Sequence, residues 1–109
     1  MKQDSNEQVK VRRRIASSIA LEQLVEICLP RQGAIEIQHD KPGKQHAWHK
    51  HDSDETIIII DGDMHFVWEA GEATCMAGDV INLPLGMLHG STAGADGATY
   101  IISFRTVEI

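Results

Sequence analysis

Trp48-His49-Lys50-His51-Asp52-Ser53-Asp54-Glu55 runs directly into Thr56-Ile57-Ile58-Ile59-Ile60-Asp61-Gly62. Two histidines stand one residue apart, a carboxylate follows four positions on, and a β-branched run then ends at a turn signal. Imidazoles and a carboxylate are the usual ligands of a divalent transition metal. Side chains alternate along a strand, so His49 and His51 share a face and Lys50 points away. With Glu55 pointing inward, Ile57 and Ile59 also point inward, and Thr56, Ile58 and Ile60 point outward. The outer face is therefore apolar too, which predicts a covering layer, either another sheet or another subunit.

The chain on both sides of this stretch reads as short strands separated by Gly/Pro turns. Upstream, Ala34 to Gln38 alternates, with Ile35 and Ile37 on one face and Glu36 and Gln38 on the other. The turn Lys41-Pro42-Gly43 leads into a strand from Gln45 to His51. Downstream, Asp61-Gly62 predicts a turn before a strand from Met64 to Glu69. Ala73 to Met76 and Val80 to Leu83 follow, the latter closed by the tight turn Pro84-Leu85-Gly86. Leu88 to Thr92, a loop from Ala93 to Gly97, and Thr99 to Val107 complete the series. Even spacing of short strands argues for a sandwich or barrel over a parallel sheet.

The N-terminal part reads differently. Residues 1–14 are polar and charged, a tail or an edge segment able to pair with a neighbour, and residues 15–109 form one domain. Between Ser18 and Leu29 the pattern fits two states. Ile19, Leu24, Val25 and Cys28 make one helical face, whereas Leu21, Val25, Ile27 and Leu29 partly fit a strand. Ser17 and Ser18 are cap residues and Ala20 to Leu24 are good helix formers, so the balance tips to a short helix from about Ser18, extended by Ile27 and ended by Pro30.

The composition narrows the function classes. A chain of 109 residues supports a single core. Its formal net charge of −6 gives no electrostatic help toward nucleic acid or an anionic membrane, and neither is expected as a partner. The basic cluster Lys10, Arg12, Arg13 and Arg14 reads as a solvated arm. No apolar run has the length of a transmembrane helix, and the polar start, Met1 to Gln8, does not read as a signal peptide. The two cysteines, Cys28 and Cys75, sit in apolar company and read as buried inert thiols. That usage points to a reducing, cytoplasmic setting.

A mononuclear site needs a further ligand, and His89 fits, set at the start of a strand by the Pro84-Leu85-Gly86 turn. At this point the spacing resembles a known family. Gly43, five residues, His49-x-His51, three residues, Glu55, six residues, Gly62 is similar to the first motif of the cupin superfamily. Gly78, five residues, Pro84-x-Gly86, two residues, His89 is similar to the second. The 15 residues between Gly62 and Gly78 match the short spacing of small single-domain cupins. The family commonly closes the second motif with an asparagine where this chain has Ala93. That asparagine is not a ligand, so the departure bears on the surroundings of the metal and not on the metal itself. The resemblance implies an all-β double-stranded β-helix, a jelly-roll barrel of two antiparallel sheets, around one divalent metal held by His49, His51, Glu55 and His89. Three imidazoles and a carboxylate suit Fe, Mn, Ni, Co, Cu or Zn without selecting among them.

Around this site, His46 has the parity of the opposite face unless the strand bulges. His39 and His65 read as surface residues. Trp48 points away from the metal and is expected to pack between layers. Met64, Phe66 and Trp68, with Tyr100, Ile102 and Phe104, are core residues that could also line the cavity. Of these, Tyr100 is the candidate catalytic residue, because a phenol near a metal can serve as acid, base or hydrogen-bond donor. Arg105 has the opposite parity to Phe104, so only one of them faces inward. The resulting expectation is a metal-dependent enzyme acting on a small oxygenated organic molecule, a dioxygenase ahead of an isomerase or lyase. The alternative is a non-catalytic metal- or small-ligand-binding module. The outward Ile58 and Ile60 further predict a homodimer packed sheet to sheet.

Overall fold

Two long strands organise the protein: β4 (Glu55–Trp68) and β7 (His89–Ser103). They pair antiparallel along most of their length, from Thr56 with Ser103 to Trp68 with His89. The computed structural model describes residues 8–109. The other elements are β1 (Lys10–Arg12), α1 (Leu21–Cys28), β2 (Ile35–Asp40), β3 (Gln45–His49), β5 (Gly71–Met76) and β6 (Val80–Leu83). All strand pairs are antiparallel. The first half of β4 joins β6 and the last half of β7, with β1 on one edge and β2 on the other. The second half of β4 joins β5, and the first half of β7 joins β3. Each long strand thus serves both sheets, and the two sheets fold over one another as a double-stranded β-helix.

The bends lie where the sequence predicts a turn and a loop. Asp61-Gly62 does not turn the chain, and Ala93 to Gly97 is not a loop; both segments stay in strand. The register slips between Ile59 and Asp61 and again between Gly62 and Met64. Gly62 and Gly97 both have φ +76° and lie where the bulged strands cross. A bulge bends and twists a strand without ending it, so a local Asp-Gly signal that reads as a hairpin here carries one strand from sheet to sheet. The last strand also ends earlier than expected, at Ser103.

The inward faces make one core. Ile57 and Ile59, Met64 and Phe66, Ile81 and Leu83, Ala98 and Tyr100 come from both sheets and pack together. The predicted inward parity of Glu55, Ile57 and Ile59 holds. A second core lies on the other side of the sheet, where Ile58, Val80 and Ile101 meet Leu24 and Cys28 of α1, with Ala16 and Val107. The covering layer is thus the chain's own helix and C-terminal segment. Ile58 is fully buried beneath this layer and Ile60 partly so.

Helix α1 starts later than the serines predict. Its N-cap is Ala20, with no side-chain capping bond, while Ser17 donates to the Arg14 carbonyl. It runs through Cys28, so the extended stretch expected from Ile27 begins later, and Leu24 and Cys28 form the buried stripe. Its carbonyl end is held by Ser103, which donates to Cys28, and by Arg105, which donates to Ile27 and Leu29. Thr56, buried beneath, accepts from Val107 and Asn82 and donates to the Arg105 carbonyl.

The N-terminal arm is likewise tied down. Lys10 to Arg12 pairs with Asn82 to Val80. Arg13 and the Arg14 amide bind the carboxylate of Asp79, which is fully buried. The basic cluster is therefore partly bonded into the domain and is not a solvated arm. Trp48 is 53% exposed and does not pack between layers. No helix among the described residues is long and apolar enough to cross a membrane.

Candidate metal centre

His49 and His89 are directly opposed across the β3–β7 pair. Opposed residues in an antiparallel ladder bring their side chains together, and their ring centroids are 4.3 Å apart. His51 arrives by another route. It lies in the loop after β3 and not on the strand, so shared strand parity does not explain its position. The Gly86 amide donates to its carbonyl at 2.9 Å. Leu85 donates to Asp54 at 2.9 Å. The Pro84-Leu85-Gly86 turn thus clasps the His51–Glu55 loop as well as launching β7 toward His89.

The three histidines offer ligand atoms all within 4.8 Å of one another. Metal–nitrogen bonds of about 2.0–2.1 Å place neighbouring ligand nitrogens about 3 Å apart, within small ring rotations of this spread. Protonation supports the fit. His49 Nδ1 lies 2.6 Å from the Ala47 carbonyl and His89 Nδ1 lies 3.0 Å from the Met87 carbonyl. A carbonyl only accepts, so each Nδ1 donates and each Nε2 is the ring atom left to face a metal. Burial lowers the His89 pKa, which keeps that ring neutral; the nearby His49 and His51 add to the effect. Phe66 stacks against the His89 ring with centroids 5.5 Å apart.

Glu55 stands at the start of β4, buried, with Oε2 3.5 Å from His51 Nε2. It lies outside the compact trio but lines the same cavity. Burial raises its pKa, against the pull of His51 and His49. A buried carboxylate beside three imidazoles has the chemistry of a ligand set in want of a cation.

The cavity measures about 340 Å³, a volume suited to a small molecule. Ile57, Met64, Phe66 and Ile102 form its apolar wall, and Phe104 stands at its edge, 41% exposed. Phe104 therefore takes the inward side and Arg105 the outward one. Trp68 packs against the core and is not among the lining residues. Tyr100, the candidate catalytic residue, does face the cavity.

Sequence reasoning missed the company that Tyr100 keeps. Its hydroxyl lies 2.8 Å from Asp40 Oδ2 and 3.0 Å from Gln38 Oε1. His46 Nε2 reaches the same Asp40 oxygen at 3.0 Å. Gln38 donates to Glu36 at 2.7 Å. The register slips between His46 and His49, and this bulge brings His46 to the cavity wall despite its parity. Burial, reinforced by Asp40, raises the Tyr100 pKa, so the phenol stays protonated at neutral pH. The available signal was the polar alternation Glu36, Gln38, Asp40 on β2, whose polar face turns inward here.

The remaining sequence expectations are quickly placed. His39 bonds Thr99 and His65 pairs with Glu72, both on the surface. Cys28 and Cys75 are buried free thiols, and burial pushes Cys75 up to about 11. A second depression of about 280 Å³ lies at the β1 edge, between Lys10, Arg12, Asp54 and Glu108, and holds none of the histidines.

No family model and no curated protein matches the chain. Solved structures do. A cupin-2 domain protein from Shewanella frigidimarina matches with TM-score 0.56 and 25% identity, over 65% of this chain and 69% of that one. A DUF861 family protein from Thermotoga maritima matches with TM-score 0.60 and 19% identity, over 89% and 99%. An oxalate decarboxylase variant from Bacillus subtilis matches with TM-score 0.60 and 25% identity, over 69% of this chain and 21% of that one.

Proposed function

We propose that this chain, a small cupin in fold, is a metal-dependent enzyme that moves a proton on a small oxygenated organic molecule. Its divalent ion would be held by His49, His51, His89 and Glu55. The observation that carries this reading is that Tyr100 and His46, joined through Asp40, line the same cavity as the histidine trio. A bound divalent ion polarises a carbonyl or carboxylate oxygen and so acidifies the neighbouring carbon.

The chain's own groups would do the rest. Asp40 only accepts, so His46 donates through Nε2, and Nδ1 is the ring atom left to exchange a proton with a substrate. Tyr100, held protonated, orients the substrate and does not remove the proton itself. Ile57, Met64 and Phe66 would give the reacting centre an apolar wall. These proton-handling groups favour isomerase, lyase or decarboxylase chemistry over the dioxygenase that ranks first from sequence.

The test loads the protein with Mn(II), Fe(II), Co(II) or Zn(II) and follows hydroxy- and keto-acids by NMR in D₂O. Deuterium entering a carbon position, slowed roughly a hundredfold by Tyr100→Phe or His46→Ala with metal content unchanged, would support the assignment. Oxygen uptake by the Fe(II) form without exchange would favour the oxygenase. Neither exchange, turnover nor oxygen uptake with any of these metals would leave the binding module as the account.

A further inference from the structure

The β2 wall of the cavity is rich in acceptors. The Gln38 amide is fixed from both sides, its nitrogen donating to Glu36 and its oxygen facing the Tyr100 hydroxyl. The phenol has one proton, and it is shared between Gln38 and Asp40. What this wall offers a ligand is therefore the Glu36 carboxylate and the lone pairs of the Tyr100 oxygen, beside the second amide N–H of Gln38. Among the described residues no lysine or arginine lines the cavity. Arg105 is turned to the other face and bonded to the carbonyl end of α1.

The charges point the same way. A divalent ion on three neutral imidazoles and one carboxylate keeps a single positive charge, which one anionic group of a ligand neutralises. Any second anionic group would face Glu36 with no lysine or arginine beside it.

We propose that the ligand of this cavity is a monoanionic or neutral oxygen chelator whose remaining polar groups are hydrogen-bond donors, hydroxyl or ammonium, directed at Glu36 and Tyr100, and that dianionic ligands are rejected. This substrate class rests on the metal assignment above. It places the chain among catalysts for hydroxylated or amino-substituted acids and ketones, and outside those for dicarboxylates.

The test uses the Co(II)-loaded protein, because its visible absorption reports a ligand entering the metal's surroundings whether or not turnover follows. Four 2-hydroxy acids share one chelating head and differ only at the far end: 4-amino-2-hydroxybutanoate, 2,4-dihydroxybutanoate, 2-hydroxypentanoate and 2-hydroxypentanedioate. The ammonium and hydroxyl forms are expected to bind at least about tenfold more tightly than the dicarboxylate. Glu36→Gln, at an exposed position, should shrink the gap between the ammonium and dicarboxylate forms severalfold. The hydroxyl and methyl forms separate donor recognition from charge alone. Equal binding of all four, no binding of any, or preference for the dicarboxylate would overturn the proposal while leaving the metal site standing. Failure to take up cobalt would remove both together.

Discussion

Gly62 is pressed against the backbone of Gly97: a Cβ built on Gly62 would collide with the Gly97 carbonyl oxygen. Both residues sit at φ +76° where the two long strands bend. Gly62→Ala combines a left-handed backbone penalty with a steric clash and should cost about 2–4 kcal/mol. Gly43→Ala, at φ +79° with open space around it, should cost only about 1–2 kcal/mol. Urea unfolding of the two variants separates clash from strain; equal losses would contradict the close approach.

With Nδ1 of His49 and His89 engaged by carbonyls, their Nε2 atoms are left to hold one divalent ion per chain. Dialysis against each metal followed by elemental analysis should find it. His49→Ala and His89→Ala should each weaken binding by more than about a hundredfold. At a metal concentration near one hundred times the dissociation constant, the wild type should gain about 2.7 kcal/mol of stability, and a chelator should remove it.

The metal-free protein should show opposed pH dependences at Glu55 and His89. The Glu55 pKa is raised in the fold, so its contribution is fully present below the ordinary carboxylate value and is lost as pH rises through the folded one. The His89 pKa is lowered, so its contribution is present above the ordinary histidine value and is lost as pH falls through the folded one. Metal-free Glu55→Gln should therefore melt higher than wild type at pH 8 while binding metal more weakly. A lower melting temperature for that variant would mean that the buried charge is compensated by something other than the ion.

Ile58 is fully buried beneath α1 and Val107. Ile58→Ala should cost about 2–4 kcal/mol and leave the molar mass in solution unchanged. A change in oligomeric state on this substitution would return the residue to an interface between copies.

The candidate site was legible because its signals are local: His49, His51 and Glu55 lie within seven residues, and the Pro84-Leu85-Gly86 turn announces His89. What stayed hidden depended on distant partners. Asp61-Gly62 reads as a hairpin until Thr99 and Ala98 are seen pairing with it. The parity of His46 fails because a bulge resets the count before His49. Ile58 and Ile60 read as a face awaiting another subunit because nothing in a strand pattern says that α1 and Val107 will lie across it. Asp40 carried only its alternation with Gln38 and Glu36, and a polar stripe is ordinarily assigned to solvent. Here it faces inward because the barrel's interior is a cavity and not only a core.

The pairing of β2 with β7 has a kinetic side. Ile35 meets Ser103 and Asp40 meets Ala98, so the third element of the chain finds its place only when the last strand is available. β1 likewise waits for β6, with Lys10 opposite Asn82. Closing loops of that length before any pairing energy is returned slows folding. During synthesis the isoleucine-rich β4 must remain uncovered until β7 emerges. A chain stalled before Thr99 would present Ile57 to Ile60 with one edge unpaired. Nonsense or proteolytic truncation near the C-terminus should therefore yield aggregates and not a smaller folded barrel.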